Sequence, residues 1–144
     1  INSFQKGEFT LYFADKTGKK LVEENVEIFY NSNLSKEKIL IDQLIKGPTT
    51  DNAIVTLSPD TKLISVSTKD NTCYVNFNDG FEERTEEVTG TIAIYSVVNS
   101  LTELSGINKV QISINGETDR VYRENIDLET FFERDLNLLE TKKK

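Results

Sequence analysis

The sequence predicts an α+β fold in which two main helices cover one face of a mostly antiparallel sheet. Several short segments alternate apolar and polar residues, and two longer segments repeat apolar residues at helical spacing. Strands and helices do not alternate strictly, which disfavours a parallel sheet. The predicted order is strand, strand, helix, strand, strand, helix and strand, followed by a short C-terminal helix.

A single domain is expected over 1–144, because this length suits one hydrophobic core and no Pro-, Gly- or Ser-rich linker divides the chain. The core is expected at about 8–116, with 117–144 as a C-terminal extension. A content of 37% hydrophobic and 28% charged residues is typical of folded globular proteins rather than disordered ones.

The first hairpin is predicted from two alternating segments. Phe9, Leu11 and Phe13 share one face of the first strand, and the turn residues Asp15-Lys16-Thr17-Gly18 follow it. The second strand is expected over roughly Leu21 to Tyr30. Its apolar face comprises Val22, Val26, Ile28 and Tyr30.

The first helix is predicted to begin after Ser35, whose side chain suits an N-cap, and to stop at Gly47-Pro48. Its apolar stripe comprises Leu40, Ile41, Leu44 and Ile45. The polar composition of Thr49 to Thr61 is typical of a loop, which its few apolar residues would anchor.

A second hairpin and a longer helix are predicted next. Strands at Leu63 to Thr68 and Cys73 to Phe77 flank a turn at Lys69 to Thr72. The helix that follows ends at Ser105-Gly106. Its apolar positions are Ile94, Val97, Val98, Leu101 and Leu104.

The last strand and the C-terminal extension complete the prediction. The strand closes at Asn115-Gly116, and its apolar residues are Val110, Ile112 and Ile114. In the extension, Asp127 is expected to cap a short helix that docks on the body of the domain. The helix would bury the apolar residues Leu128, Phe131 and Phe132.

Charge and hydropathy restrict the partners. With 24 acidic and 17 basic residues, the net charge of −7 disfavours nucleic acid as a ligand. The chain contains no run of about 18 apolar residues of the kind that spans a membrane. Membrane association is therefore expected only through an upstream anchor. The start at Ile1 without Met suggests a removed leader, and Lys142–Lys144 is expected to be a frayed end.

Residues for nucleophilic catalysis are scarce. The chain has no histidine, which excludes Ser-His-Asp and Cys-His catalysis as well as histidine-containing zinc sites. Cys73 is the only cysteine, so no intrachain disulfide can form. Because it shares a strand face with Val75 and Phe77, a buried structural thiol is expected there.

Carboxylates and turn residues offer further candidates. Glu82, Glu83, Glu86 and Glu87 could supply the paired carboxylates of a glycan hydrolase, but a solvated first helical turn is the favoured interpretation. The segments Asp15–Lys19, Asp70-Asn71 and Asn78-Asp79-Gly80 are interpreted as turns, since they lack the ligand spacing of a calcium loop. No catalytic residue, metal or cofactor is therefore predicted.

Several segments together resemble the GerMN family of sporulation and spore germination domains. The segments are Leu44–Pro48, Leu57–Val66, Cys73–Phe77, Ile94–Leu104 and Val110–Gly116. Their order along the chain matches the family, and the resemblance covers roughly 9–116 and extends loosely to 138. One departure is Ser58 before Pro59, where the family usually has leucine.

The resemblance implies a non-enzymatic protein-interaction or assembly module at the envelope of a spore-forming bacterium. Family members are typically exported or lipid-anchored, and their fold is similar to ring-building modules of secretion systems. The partners implied are envelope or sporulation proteins, or a second copy of the domain. The alternatives are a module that binds cell-wall glycans or peptides through Tyr12, Tyr74 or Tyr122 and, behind it, the hydrolase.

Overall fold

The computed structural model describes residues 3–83, 87–123 and 125–140. Its two α-helices are α1 (Lys36–Lys46) and α2 (Gly90–Leu101), and short 3-10 helices cover Asp79–Glu82 and Leu136–Leu138. The strands are β1 (Phe4–Asp15), β2 (Leu21–Asn31), β3 (Ala53–Ile54), β4 (Leu63–Lys69), β5 (Thr72–Phe77), β6 (Lys109–Ile114), β7 (Val121–Tyr122) and β8 (Ile126–Asp127).

The strands form two three-stranded sheets with the orders β2-β1-β3 and β4-β5-β6, and β7 pairs with β8. All pairs are antiparallel except β5 with β6, because α2 returns the chain to the end at which β5 began. The predicted α+β class, with two helices and mostly antiparallel pairing, is confirmed. The difference is that the strands divide into two sheets where one was expected.

The β1–β2 hairpin is a long ribbon whose register runs from Phe4 opposite Asn31 to Ala14 opposite Leu21. The turn is closed by Asp15, whose Oδ1 accepts hydrogen bonds from the Thr17 N–H at 3.0 Å and the Thr17 hydroxyl at 2.6 Å. The predicted hairpin is confirmed, and β1 begins five residues earlier than Phe9, the first residue of the alternating pattern.

Helix α1 begins and ends where its sequence signals predict. The Ser35 hydroxyl accepts a hydrogen bond from the Lys38 N–H at 3.2 Å, and Gly47 ends the helix with a φ of 104°. A positive φ suits glycine because it lacks a Cβ atom. The buried residues of the helix are Ile39, Leu40, Ile41 and Leu44.

The second hairpin turns through two residues with left-handed backbone conformations. Asp70 and Asn71 have φ values of 51° and 66° between the paired Lys69 and Thr72. This is the geometry of a type I′ turn, which matches the twist of the flanking strands. The predicted turn is therefore confirmed.

Near the C-terminal end of β1, side-chain hydroxyl groups form hydrogen bonds with the backbone groups of its outer edge. The Tyr12 N–H donates to the Ser100 Oγ at 2.9 Å, and the Ser96 Oγ donates to the Tyr12 carbonyl at 2.5 Å. Two residues further on, the Ala14 N–H donates to the Thr56 Oγ1 at 2.8 Å. Side chains of α2 thus take the place of a paired strand beside Tyr12 and join the helix to the sheet.

A buried carboxylate fixes the loop after α1. Glu24 lies on the apolar face of β2 and is 5% exposed. It accepts hydrogen bonds from the Thr49 N–H at 2.8 Å and from the hydroxyls of Thr49 and Thr50 at 2.9 Å. These bonds compensate for burial of the charge and hold the loop against the ribbon.

The C-terminal extension packs on the body of the domain, as predicted, but the helix predicted after Asp127 is absent from the described residues. Asp127 lies in β8, and its Oδ1 accepts from the Glu129 N–H in a turn. Phe132 then exchanges two backbone hydrogen bonds with Val110, at 2.8 and 2.9 Å. The open edge of β6 therefore draws this segment into extended pairing. Leu128 and Phe132 are buried, whereas Phe131 is 47% exposed.

Aromatic stacking and an amide pair fasten the extension further. Phe81 stacks on Phe77 with ring centroids 4.4 Å apart, and the Tyr122 ring lies 4.8 Å from that of Phe81. The buried Asn99 side chain donates to the Asp135 carbonyl and accepts from the Asp135 N–H, both at 3.0 Å. The extension thus contacts the 3-10 helix at Phe81 and α2 at Asn99.

Membrane-spanning segments require about 20 apolar residues in helical form. No helix within 3–83, 87–123 and 125–140 is long and apolar enough for this.

We expect Ser96→Ala and Ser100→Ala each to lower the free energy of unfolding by about 1–3 kcal/mol, because each leaves one buried backbone group of Tyr12 without a partner. Chemical unfolding of the purified domain measures the difference. Ser105→Ala, at an exposed position after α2, is the matched control. Equal stability of all three variants would contradict the role assigned to these hydroxyls.

Candidate functional site

Cys73 has the environment of a structural thiol. Its side chain is fully buried among core residues of β5, and burial raises the pKa of the thiol to about 12. A nucleophilic cysteine needs an accessible thiolate near neutral pH. The structure therefore confirms the expectation of a buried structural residue.

The acidic segment does not form the first turn of α2, and that interpretation was wrong. The helix is capped by Thr89, whose hydroxyl accepts from the Ile92 N–H, and its first turn carries no acidic residue. Glu82 ends the preceding 3-10 helix and forms an ion pair with Arg120 at 2.5 Å. A hydrogen bond with Asp60 raises the pKa of Glu83. Glu86 lies outside the described residues.

The remaining oxygen-rich segments serve as local connectors. The Asn78 side chain accepts from the Lys62 N–H at 2.8 Å and donates to the Asp60 carbonyl at 3.1 Å. Asp79 is hydrogen-bonded to the Asn115 side chain, in the turn after β6. Within the described ranges, no three acidic or cysteine side chains come together as a potential metal site.

Two of the three candidate tyrosines are unavailable for stacking on a ligand. Tyr122 is fully buried, and its hydroxyl donates to the Phe81 carbonyl at 3.0 Å. Tyr12 is 2% exposed and donates to the Glu103 Oε2 at 2.6 Å. Burial and then this hydrogen bond raise the pKa of Tyr12.

Tyr74 is the third candidate, and its ring is accessible. It is 39% exposed and lies 6.4 Å from the ring of Phe131 in an edge-to-face arrangement. Its cross-strand neighbours are Ser67 and Gln111. This small aromatic pair in polar surroundings is the one stacking surface that the predicted tyrosines provide.

The open end of the β1–β2 ribbon presents two aromatic side chains that sequence reasoning did not select. Phe4 and Phe29 are 68% and 73% exposed. Phe29 is opposite Lys6 and Phe4 is opposite Asn31, so the two rings occupy diagonal positions on one face. The signal was present for Phe29, since it is out of phase with the apolar face of its strand. An apolar pair exposed in this way is typical of a contact surface.

A groove runs beside this end of the ribbon. It is lined by Lys6 to Thr10 of β1 and by Tyr30 of β2, and it has a volume of about 320 Å³. Its other wall contains Lys36 and Leu40 of α1 together with Glu103 and Leu104 after α2. One end of the molecule therefore combines a strand edge that no other described strand pairs with, a charged groove and exposed aromatic rings.

Comparison with known families identifies the fold. Residues 10–120 match the family model described as Germane, sporulation and spore germination. The chain belongs to this family. The family description names two processes of spore-forming cells rather than a reaction, and the GerMN resemblance found in the sequence is confirmed.

Solved structures show the same fold. The tandem GerMN domains of the sporulation protein GerM from Bacillus subtilis superpose with a TM-score of 0.74 at 21% identity, covering 94% of this chain and 48% of that one. The first GerMN domain of GerM gives a TM-score of 0.67 at 22% identity, covering 90% and 96%. This chain thus spans about half of the tandem structure.

A third structure, from Clostridium perfringens, carries a name that describes a lipoprotein. It gives a TM-score of 0.60 at 24% identity and covers 89% of this chain and 87% of that chain. No curated protein matches this chain significantly. At these identities the structural comparisons establish the fold alone, so function is inferred from the site.

We expect Cys73 to be inert to a thiol reagent such as 5,5′-dithiobis(2-nitrobenzoate) in the folded domain at pH 8, because its thiol is buried and protonated. In about 6 M guanidinium chloride, well past the unfolding midpoint of an ordinary domain, it should react fully and within minutes. Absorbance at the wavelength of the released thiolate follows the reaction. Rapid labelling of the folded domain would contradict a structural role.

Proposed function

We propose that this domain is a non-enzymatic protein-interaction module of the bacterial cell envelope that acts in sporulation or spore germination. Its family description supports the process, and the similar structure described as a lipoprotein supports an extracytoplasmic position with a lipid anchor elsewhere in the full-length protein. Its partners are envelope or sporulation proteins, as the ring-building resemblance implies.

The observation that carries the proposal is the exposed pair Phe4 and Phe29 on the ribbon. Aromatic side chains supply large contact areas at protein interfaces, and the best of them each contribute 2 kcal/mol or more, in order of magnitude about thirtyfold in affinity. Lys6 lies beside the rings and Glu27 lies 3.5 Å from Lys6. Apolar rings with charged neighbours match the core-and-rim pattern of a protein interface.

We infer a structural rather than a catalytic role for the acidic segment. The Arg120 guanidinium contacts Glu82 at 2.5 Å and Glu117 at 3.3 Å, so the ion pairs tie the 3-10 helix to the segment before β7. Glycoside hydrolysis requires two carboxyl groups that flank a sugar in a cleft. The ion pair with Arg120 explains the position of Glu82, so no catalytic cleft is needed to explain it.

We expect the double variant Phe4→Ser/Phe29→Ser to capture at least about tenfold less of its envelope partner than the wild type, because the apolar contact is lost. The tagged domain is incubated with solubilised envelopes of sporulating cells, and captured proteins are quantified by mass spectrometry. Phe131→Ser, which removes an exposed aromatic ring elsewhere, should capture as much as the wild type. Equal capture by all three, or capture of no envelope protein by any, would contradict the proposal.

A second candidate function is binding of cell-wall glycans or peptides through Tyr74. Its exposed ring beside Phe131, with Ser67 and Gln111 as polar neighbours, suits stacking on a sugar with hydrogen bonds at the side. This surface is small and open, so it supports weaker binding than a closed pocket would.

We expect Tyr74→Ala to weaken sedimentation of the domain with purified peptidoglycan by about fivefold if this second function holds, since a stacking contact contributes about 1 kcal/mol. Phe29→Ala is the matched control and should leave this binding unchanged. Absence of saturable binding by the wild type would remove the second candidate.

A further inference from the structure

The outer edge of β1 has a run of backbone groups without a strand partner among the described residues. The backbone N–H and C=O groups of the odd-numbered residues of β1 point toward β2, as shown by the hydrogen bonds from Asp15 to Lys20 and from Ser32 to Ser3. The backbone groups of the even-numbered residues point outward, away from β2. The outward backbone groups of Tyr12 bond to serines of α2. The outward backbone groups of Phe4, Lys6, Glu8 and Thr10 have no hydrogen-bond partner among the described residues. An edge of this kind is a template for another strand.

We propose that this edge pairs with the same edge of a second copy of the domain, antiparallel and with Gly7 opposite Gly7 of the second copy. The pairing joins the two β1–β2 ribbons into one continuous sheet. A two-fold axis through the central pair makes the contact self-complementary and closed. This inference deepens the proposed assembly role and rests on it.

Charge fixes the register. With the glycines opposite each other, Lys6 of each copy is opposite Glu8 of the other, and both belong to the outward-facing set that hydrogen-bonds across the new pair. Shifting the partner strand by two residues in one direction places Lys6 opposite Lys6 of the second copy. Shifting it in the other direction places Glu8 opposite Glu8 of the second copy. One register alone therefore pairs opposite charges.

The domain also carries a charge conflict that this pairing relieves. Glu8 is directly opposite Glu27 on the exposed face of the ribbon, and like charges in such positions are destabilising. Lys6 lies 3.5 Å from Glu27 but is diagonal to that pair. In the paired ribbons, a second lysine, Lys6 of the second copy, comes to rest beside Glu8.

Gly7 suits the centre of the contact. Its position is a non-hydrogen-bonded pair across the new edge, where opposing Cα atoms approach to about 4.5 Å. A Cβ atom at Gly7 would lie 3.1 Å from the Tyr30 ring and 3.2 Å from the Phe9 ring. Glycine avoids this crowding within the ribbon, and its lack of a side chain also leaves the backbone clear at the closest approach of the two copies.

The outer edge of β2 does not offer the same match. Its outward-facing residues include the acidic Glu23 and Glu27 and no basic residue, the others being Leu21, Asn25, Phe29 and Asn31. Pairing of two such edges would have no attractive charge contacts. The β1 edge, with one lysine and one glutamate on its outward-facing set and the groove beside it, is the self-complementary edge of this ribbon.

The test is sedimentation equilibrium of the 1–144 chain over a concentration range reaching about 1 mM, which detects weak dimers. We expect a reversible dimer. Lys6→Glu and Glu8→Lys should each weaken dimerisation by about tenfold or more, because each turns two attractive cross-strand contacts into repulsive ones. The double variant Lys6→Glu/Glu8→Lys restores opposite charges and should dimerise within about threefold of the wild type.

Lys109→Glu and Glu129→Lys, at exposed positions away from the ribbon, make the same charge changes and should leave the dimer unchanged. Hydrogen exchange of the wild type gives a second readout, in which the amides of Lys6, Glu8 and Thr10 gain protection as concentration rises. A monomeric wild type, a dimer insensitive to both single substitutions, or a double variant as weak as the single ones would overturn the inference. A monomer that still captures an envelope protein through Phe4 and Phe29 would overturn self-pairing alone and leave the proposed function in place.

Discussion

The fold depends on how the outer edge of β1 is satisfied at Tyr12. At Ala14 and Asp15 this edge pairs with β3, and at Tyr12 the hydroxyls of Ser96 and Ser100 take over from the strand. A buried peptide group without such partners would cost about 1–3 kcal/mol. The two serines are four residues apart, one helical turn, so they face the same strand and set the position of α2 along it.

The side chain of the same residue extends this constraint to the end of the chain. The Tyr12 hydroxyl donates to Glu103, which lies 3.6 Å from the Arg134 guanidinium. Arg134 in turn donates to the Thr102 carbonyl at 2.6 Å, and the Asn99 amide holds the next residue, Asp135. Strand β1, helix α2 and the C-terminal extension are therefore connected through one polar network around a mostly apolar core.

Local features of the sequence predicted local structure well. Ser35 and Gly47 fix the ends of α1 because capping depends on neighbouring backbone groups alone, and Asp70-Asn71 tolerate the φ values that a type I′ turn requires. Non-local competition explains the differences. Asp127 suits an N-cap, but Phe132 forms backbone hydrogen bonds with Val110 at the edge of β6, and this pairing keeps the segment extended. The exposed rings were not predicted: the strand phase of Phe29 carried a signal for its exposure, whereas Phe4 lies before the alternating pattern that marked β1.

The contact between Leu21 and the last described residues has a mechanical consequence. Leu139 bridges to Leu21, and the Glu140 N–H donates to the Leu21 carbonyl at 2.9 Å, so the described chain ends at the turn end of the ribbon, opposite Phe4. Ten residues of extended strand separate these ends by about 33 Å. Tension applied between Phe4 and Glu140 would run along the backbone of β1 and through the turn to Leu21. The contact of Leu21 with Leu139 and Glu140 would therefore bear the force, and the hydrogen bonds between β1 and β2 would stay unloaded.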